Sequence, residues 1–410
     1  MGKRFLYVGN WGFHPAPKGI SRFEYDEESG ELTLIDTVRS DIAAGQLALD
    51  DERGILYAVN ECGERKGEYG GGGQLLAFKI DAETGELTQM CQRDSLCPEP
   101  SYLCLDGTGK YILACHCADP WHVTKIVRNA DGTLSNQVLF DDGALVLFRL
   151  NADGSIGDAV DYCTAPCCSR LSETSQVNVD PVSGHIQLVE IVSRLHSVKM
   201  SPDGEMFICC DKGMDRIYCY KLDREAGKIR QTDTFEADWR SFPRYGAFHP
   251  VRKVFYANNE FCADVNYFGY DSAAGKIDRL GKVSAVFADP GLVEGKPVGA
   301  QDILVSPDGK TMYVTLCGIN SISVFDLNEE GVPTLVQVQE CGGNMPRGIA
   351  LSPDGRFLLS GNMLSGNISV FAVDKGGRLK ETGKIYRAVS PSAMKFYRAK
   401  LQGFRKEEDF

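Results

Sequence analysis

The sequence predicts an all-β fold, a seven-bladed β-propeller of four-stranded antiparallel blades, and three observations carry that prediction. A short alternating strand running into a Ser-Pro-Asp-Gly turn occurs at His196–Gly204, Gln301–Gly309 and Arg347–Gly355. Weaker copies start at Gly45, Ser101 and Arg244, and Ser392 opens a partial seventh. No stretch holds the 3.6-residue period of an amphipathic helix beyond about two turns. Repetition at this period marks a ring or solenoid of identical small units, and four short strands per unit select the propeller.

The unit reads as follows. After each turn comes an apolar second strand, as at Lys310–Thr315, then a third, as at Ser321–Phe325. A fourth strand follows an Asp-x-x-x-Gly-x-Leu or Ile turn at Asp26–Leu32, Asp81–Leu87, Asp223–Ile229 and Asp271–Ile277. The N-terminal strand Phe5–Gly9 has the pattern of a second strand without its first, and Ser392 starts a first strand without its second. Pairing the two termini in one blade closes the ring, so residues 1–398 form a single domain and 399–410 a C-terminal tail. Unit starts lie 45 to 57 residues apart, except for 95 between Ser101 and His196. That surplus is two insertions, about 118–143 and about 163–193. Both leave the same end of the blade, so they are expected to cover one face of the ring as a lid or rim. The 44 glycines fit a chain of many tight turns; Gly70–Gly73 is expected to be a flexible loop in the second blade.

Composition removes several function classes. Lys plus Arg number 44 against 56 Asp plus Glu, a net charge of −12 with no basic run, which excludes nucleic acid and anionic membrane surfaces as partners. No run approaches the roughly 20 apolar residues of a bilayer span. The first ten residues lack the apolar core of a signal peptide. The fifteen cysteines are therefore expected as reduced thiols in a cytoplasmic protein, many of them small hydrophobes inside strands, such as Cys104, Cys115, Cys209, Cys210 and Cys219. The chain is expected to work as a monomer or homodimer on a small molecule.

Residues at equivalent repeat positions form rings around the channel. Seven places after the turn glycine stand Asn60, His116, Asp211, Asn259, Leu316 and Asn362, with Asn10 matching from the N-terminus. The strand starts supply Gly45, Ser101, His196, Arg244, Gln301 and Arg347. His196, Arg244, Arg347 and Glu260 place an imidazole, two guanidiniums and a carboxylate around one channel. Arg grips carboxylate or phosphate bidentately while His and Glu exchange protons, so the set suits a small, oxygen-rich, anionic substrate. Purely structural roles fit the same positions: His196 can satisfy a backbone carbonyl, and Arg244 and Arg347 can tie neighbouring blades. Glu61 and Glu260 share the position after the asparagine ring, so one can be the acid or base and the other structural. His249 reads as a turn residue. Cys115-His116-Cys117 with Cys163, Cys167 and Cys168 lacks paired Cys-x-x-Cys spacing, and strand alternation sends both flanking thiols away from His116. No metal is expected, the remaining candidates being His116, His122 and His185, and no cofactor. Gly-x-Ser-x-Gly and the Walker pattern are both absent.

His196–Tyr220 and Pro243–Glu260, supported by Tyr57–Glu61 and Ala77–Leu87, resemble the seven-bladed propeller lactonases, which include one bacterial type of 6-phosphogluconolactonase and the fungal carboxymuconate lactonizing enzymes. The resemblance covers most of the chain. It implies a ring-opening hydrolase in which His196, Glu260 and Arg244 are catalytic, and it favours Glu260 over Glu61. Arg347, His116, Glu61, Asn10, Asn60, Asn259, Gln301 and Asp211 then line the substrate site. The fourth channel residue of the lactonizing branch, an arginine, aligns with Cys317, which argues against assuming carboxymuconate or a phosphorylated lactone. Three functions remain open: a lactonase; a hydrolase opening a carbocyclic 1,3-diketone, or a lactonizing cycloisomerase; and a non-catalytic interaction propeller.

Overall fold

The computed structural model describes residues 4–12, 18–62, 64–65, 68–69, 72–117, 122–165, 177–179, 186–188, 193–287 and 298–398. Every regular element among them is a strand, and the strands build seven four-stranded antiparallel sheets. In blade 1 the C-terminal strand Pro391–Arg398 is innermost and pairs with Arg4–Asn10, followed outward by Ile20–Tyr25 and Leu32–Val38. The two ends of the chain thus close the ring in one blade. The innermost strands of blades 2 to 7 are Leu47–Asp50, Pro100–Leu105, Leu195–Met200, Pro243–Phe248, Gly299–Val305 and Pro346–Leu351. Each packs beside the next, and Pro391–Arg398 packs against both Pro346–Leu351 and Leu47–Asp50.

Burial follows from position in the blade. Second strands such as Ile55–Asn60 and Thr311–Cys317 lie between neighbouring blades, are buried on both faces and read as continuous apolar runs. Outermost strands such as Leu379–Arg387 alternate half-buried and exposed residues along most of their length, as a half-solvated edge requires. Buried tyrosines stitch blade to blade: the hydroxyls of Tyr7, Tyr57, Tyr256 and Tyr313 donate to the carbonyls of Gly85, Gly154, Gly331 and Gly377 in the following blade's outer turn.

The surplus after Ser101 contains two extra hairpins. His122–Arg128 pairs with Leu134–Phe140 after the second strand of blade 3, and Val177–Val179 pairs with Ile186–Leu188 before the first strand of blade 4. The roots of the two insertions touch. Gly143 packs so closely on Ser193 that a Cβ there would lie 2.2 Å from its Oγ, and Arg194 Nε donates to the Cys117 carbonyl at 3.2 Å. A third hairpin, Glu64–Arg65 with Glu68–Tyr69, rises from the same end of blade 2, where the sequence pattern gave only a glycine-rich loop. Gly73, at the end of that loop, is tightly packed at φ +92°, with Cys97 O and Ser95 Oγ 2.6 Å from the place of a Cβ. Residues 399–410, the expected tail, lie outside the described residues.

Candidate active site

The strand-start ring gathers at one mouth of the channel because the inner strands bulge there. Pairing registers shift across Ser101, His196, Arg244, Gln301, Arg347 and Ser392 in six of the seven blades. A bulge re-aims the extra side chain, here off the strand face and around the ring. These residues reach to the next blade: Ser101 Oγ donates to Leu195 O at 2.8 Å, Arg347 Nε to Ser392 Oγ at 3.1 Å, and Ser392 Oγ to Gly45 O at 3.0 Å. One Arg244 terminal nitrogen donates to the Gln301 carbonyl. Arg244 and Arg347 therefore do tie neighbouring blades, while three buried atoms of this ring find no hydrogen-bond partner among the described residues: His196 Nδ1, Arg244 Nε and Gln301 Oε1.

The second strands contribute one residue per blade just beyond their polar ring: Trp11, Glu61, Cys117, Lys212, Glu260, Cys317 and Met363. Glu260 is the hub of the polar half. Its Oε2 accepts from Lys212 Nζ at 2.9 Å, and its Oε1 lies 3.4 Å from Gln301 Nε2 and 3.6 Å from Arg244 Nε. The Arg244 guanidinium stacks 4.4 Å from the Tyr245 ring centre, and His196 meets that ring edge-on at 5.3 Å. The apolar half joins Cys317, Met345 and Met363 with Trp11, over whose ring the Arg347 guanidinium lies at 3.9 Å. Glu61 bends over Gly45: a Cβ on Gly45 would sit 1.9 Å from Glu61 Oε2 and 3.1 Å from Trp11 Cδ1. Only glycine leaves room for that carboxylate.

The two glutamates have opposite electrostatics. Burial raises Glu61 to about 7, with Arg347 pulling it down and Glu99 pushing it up. Burial would raise Glu260 too, yet Lys212 and Arg244 outweigh it and hold that carboxyl at about 2. His196 is pushed well below its ordinary value by burial and then by Arg244, Lys212 and Arg347, so its ring is neutral at pH 7. Burial and the like charge of Arg244 also lower Arg347.

The polar ring behind these residues works inside the blades. Asn10 Oδ1 accepts from Ser390 N, Asn60 Oδ1 from Ala43 N, and the Asp211 carboxylate from Ser193 Oγ and three backbone amides; each clamps the loop entering an inner strand. Asn259 donates to Asp264 Oδ1 at 2.5 Å, and His116 Nδ1 lies 3.0 Å from Ala144 O, with burial lowering His116 to about 4. His249 Nδ1 accepts from the amides of Val251 and Arg252, as a turn residue should. His185, Cys167, Cys168 and the side chain of His122 lie outside the described residues. Among the described residues no group of three His, Cys, Asp or Glu is placed to hold a metal ion, and no helix is long and apolar enough to cross a membrane.

Sequence reasoning missed Lys212, Trp11, Tyr245, Arg194 and Glu99. Lys212 and Trp11 had a signal, since they stand at the repeat position of Glu61 and Glu260.

The blades thus converge Arg, His, Lys and Glu on one channel mouth, a set able to grip an anionic group and to move protons. The particular family follows from comparison: residues 5–396 match the model of the lactonase, 7-bladed beta-propeller family, to which the chain belongs. The 6-phosphogluconolactonase of Formosa agariphila is 26% identical over 388 residues, covering 93% of this chain and 94% of that protein. That of Bacillus subtilis strain 168 is 25% identical over 94% of both. The periplasmic gluconolactonase PpgL of Pseudomonas aeruginosa superposes with a TM-score of 0.77 at 22% identity, covering 97% of this chain and 99% of that one.

Proposed function

We propose that the chain hydrolyses the lactone of an anionic sugar acid at this channel mouth, with Glu61 as general base, and three buried atoms that make no hydrogen bond among the described residues, His196 Nδ1, Arg244 Nε and Gln301 Oε1, carry that reading. Buried polar groups are normally satisfied, so three such atoms on consecutive blades mark where a ligand or reacting water belongs. A base works best when its pKa lies near the operating pH, which suits Glu61 at about 7 and not Glu260 at about 2. Glu61 takes a proton from water as the oxygen attacks the ring carbonyl. Arg244 meets the charge developing on the carbonyl oxygen. The acyl C–O bond breaks, Glu61 returns its proton to the ring oxygen as a hydroxyl, and the new carboxylic acid releases its own proton to solvent. His196, neutral, orients water through its free nitrogen. Glu260 holds Lys212 and Arg244 in place.

An anionic substrate is supported by the charge count of the mouth. Arg194, Lys212, Arg244 and Arg347 face Glu61, Glu99 and Glu260, a surplus of cations in a chain of net charge −12. Arg347 stands one blade beyond Cys317 and supplies a guanidinium where the family arginine is missing. The test is the rate of 6-phosphogluconolactone hydrolysis against unphosphorylated gluconolactone. Preference for the phosphorylated lactone that disappears in Arg347→Gln supports the assignment, and equal rates on both in the wild type refute an anion site.

A further inference from the structure

Around the ring, Trp11 of blade 1 stands between Arg347 of blade 7 and Glu61 of blade 2. One serine also links the two charged residues: Arg347 Nε donates to Ser392 Oγ at 3.1 Å, and Ser392 Oγ donates at 3.0 Å to the carbonyl of Gly45, over which Glu61 bends. A carboxylate and a guanidinium brought so near in a water-poor site attract strongly and ordinarily close into a bidentate pair. Here neither makes an ion pair among the described residues. The indole takes the space between them. Its face carries the Arg347 guanidinium at 3.9 Å, and its Cδ1 edge borders the space above Gly45 that holds Glu61 Oε2. The tryptophan is fixed on several sides. Trp11 N donates to Ser390 O at 3.0 Å, Ser390 Oγ donates back to the Trp11 carbonyl, and the cluster of Cys317, Met345 and Met363 packs on its side chain. A guanidinium stacked on an aromatic face keeps its N–H groups in its own plane, available to an acceptor.

We infer that Trp11 is a positioning residue that keeps the Glu61 carboxylate and the Arg347 guanidinium apart, reserving the first for the reacting water and the second for the anionic group of the substrate. The inference rests on the reading of Glu61 as general base. Charged and titratable groups reach Glu61 from four other blades: Glu99 and the Cys117 thiol of blade 3, Lys212 of blade 4, Arg244 of blade 5 and Arg347 of blade 7. Among the cations Arg347 acts on it most strongly, even without contact. Direct pairing with an arginine lowers a carboxyl by roughly one to three units. Losing the indole would therefore take Glu61 from about 7 towards an ordinary carboxylate and would tie up the guanidinium as well.

The test is the pH dependence of kcat/KM for 6-phosphogluconolactone in the wild type, Trp11→Ala, Trp11→Phe, and Trp11→Ala combined with Arg347→Gln. The acid limb, near pH 7 in the wild type, should move down by about one unit or more in Trp11→Ala and stay near 7 in Trp11→Phe. It should return towards 7 in the double variant, which has no guanidinium left to pair. KM should rise roughly tenfold in Trp11→Ala, the worth of one charge-assisted contact to the substrate. Trp11→Val gives the same reading if Trp11→Ala does not fold. General loosening of the mouth lowers the rate without moving the limb, so an unmoved limb in Trp11→Ala overturns the proposal, as does a limb that stays low in the double variant. A wild type whose acid limb is absent, or is kept in an active Glu61→Gln, would remove Glu61 as the base and overturn both readings together.

Discussion

Replacing Glu61 by Gln should stabilise the protein at alkaline pH while removing its activity. The carboxyl goes from an ordinary 4.5 in the unfolded chain to about 7 in the folded one. A group raised on folding binds its proton more tightly in the native state, so its favourable contribution is complete below about 4.5 and is lost as pH rises through 7. Above that, native Glu61 is ionised in surroundings that disfavour the charge. At 1.36 kcal/mol per unit the difference amounts to about 3 kcal/mol, reduced by solvent at this partly open side chain. Gln keeps the shape without the charge. Urea unfolding of wild type and Glu61→Gln should therefore give similar stabilities near pH 4.5 and a variant more stable by roughly 1 to 3 kcal/mol at pH 8.5. In parallel, kcat/KM should fall by about 10² to 10⁴, the usual worth of a general base, and the wild-type kcat/KM should drop about tenfold per unit below pH 7. Equal stability gaps at both pH values would refute the electrostatic reasoning. Retained activity would refute the role of Glu61.

Arg347→Gln removes a guanidinium whose terminal nitrogens make no hydrogen bond among the described residues, so KM for an anionic lactone should rise roughly ten- to hundredfold with kcat nearly unchanged; steady-state kinetics decide. Gly45→Ala puts a methyl into the space of Glu61 Oε2, and its activity should fall much further than its unfolding midpoint, as assayed on the same preparation. Lys212→Met strips Glu260 of its 2.9 Å partner in a nearly closed setting and should cost about 3 kcal/mol in urea unfolding, whereas Lys212→Met with Glu260→Gln should recover most of it. Ending the chain at Ser390 deletes the innermost strand of blade 1, and soluble yield and unfolding cooperativity should both collapse because the ring no longer closes.

The repeat made the architecture legible in the sequence. Ser-Pro-Asp-Gly turns and apolar second strands are local chemistry, and their count points to seven blades and to Phe5–Gly9 closing the ring with the segment from Ser392, the pairing that strands Arg4–Asn10 and Pro391–Arg398 make. The same register located His196, Arg244, Gln301 and Arg347, since a residue that repeats once per blade must form a ring. Period-two alternation also separates the polar ring at Asn10, Asn60 and Asp211, which clamps loops within its blades, from the next position, where Trp11, Glu61, Lys212 and Glu260 meet at the mouth. What alternation cannot supply is the bulge at six of the seven strand starts, a backbone irregularity set by how seven inner strands fit around one axis. Nor can it supply the environment of a carboxyl. Glu61 and Glu260 are the same residue type at the same repeat position, and the family pattern favours Glu260. Only the tertiary structure sets Lys212 and Arg244 against Glu260 and leaves Glu61 beside Glu99 above a glycine, because ionisation depends on which charges neighbouring strands and blades bring up, tens of residues away along the chain.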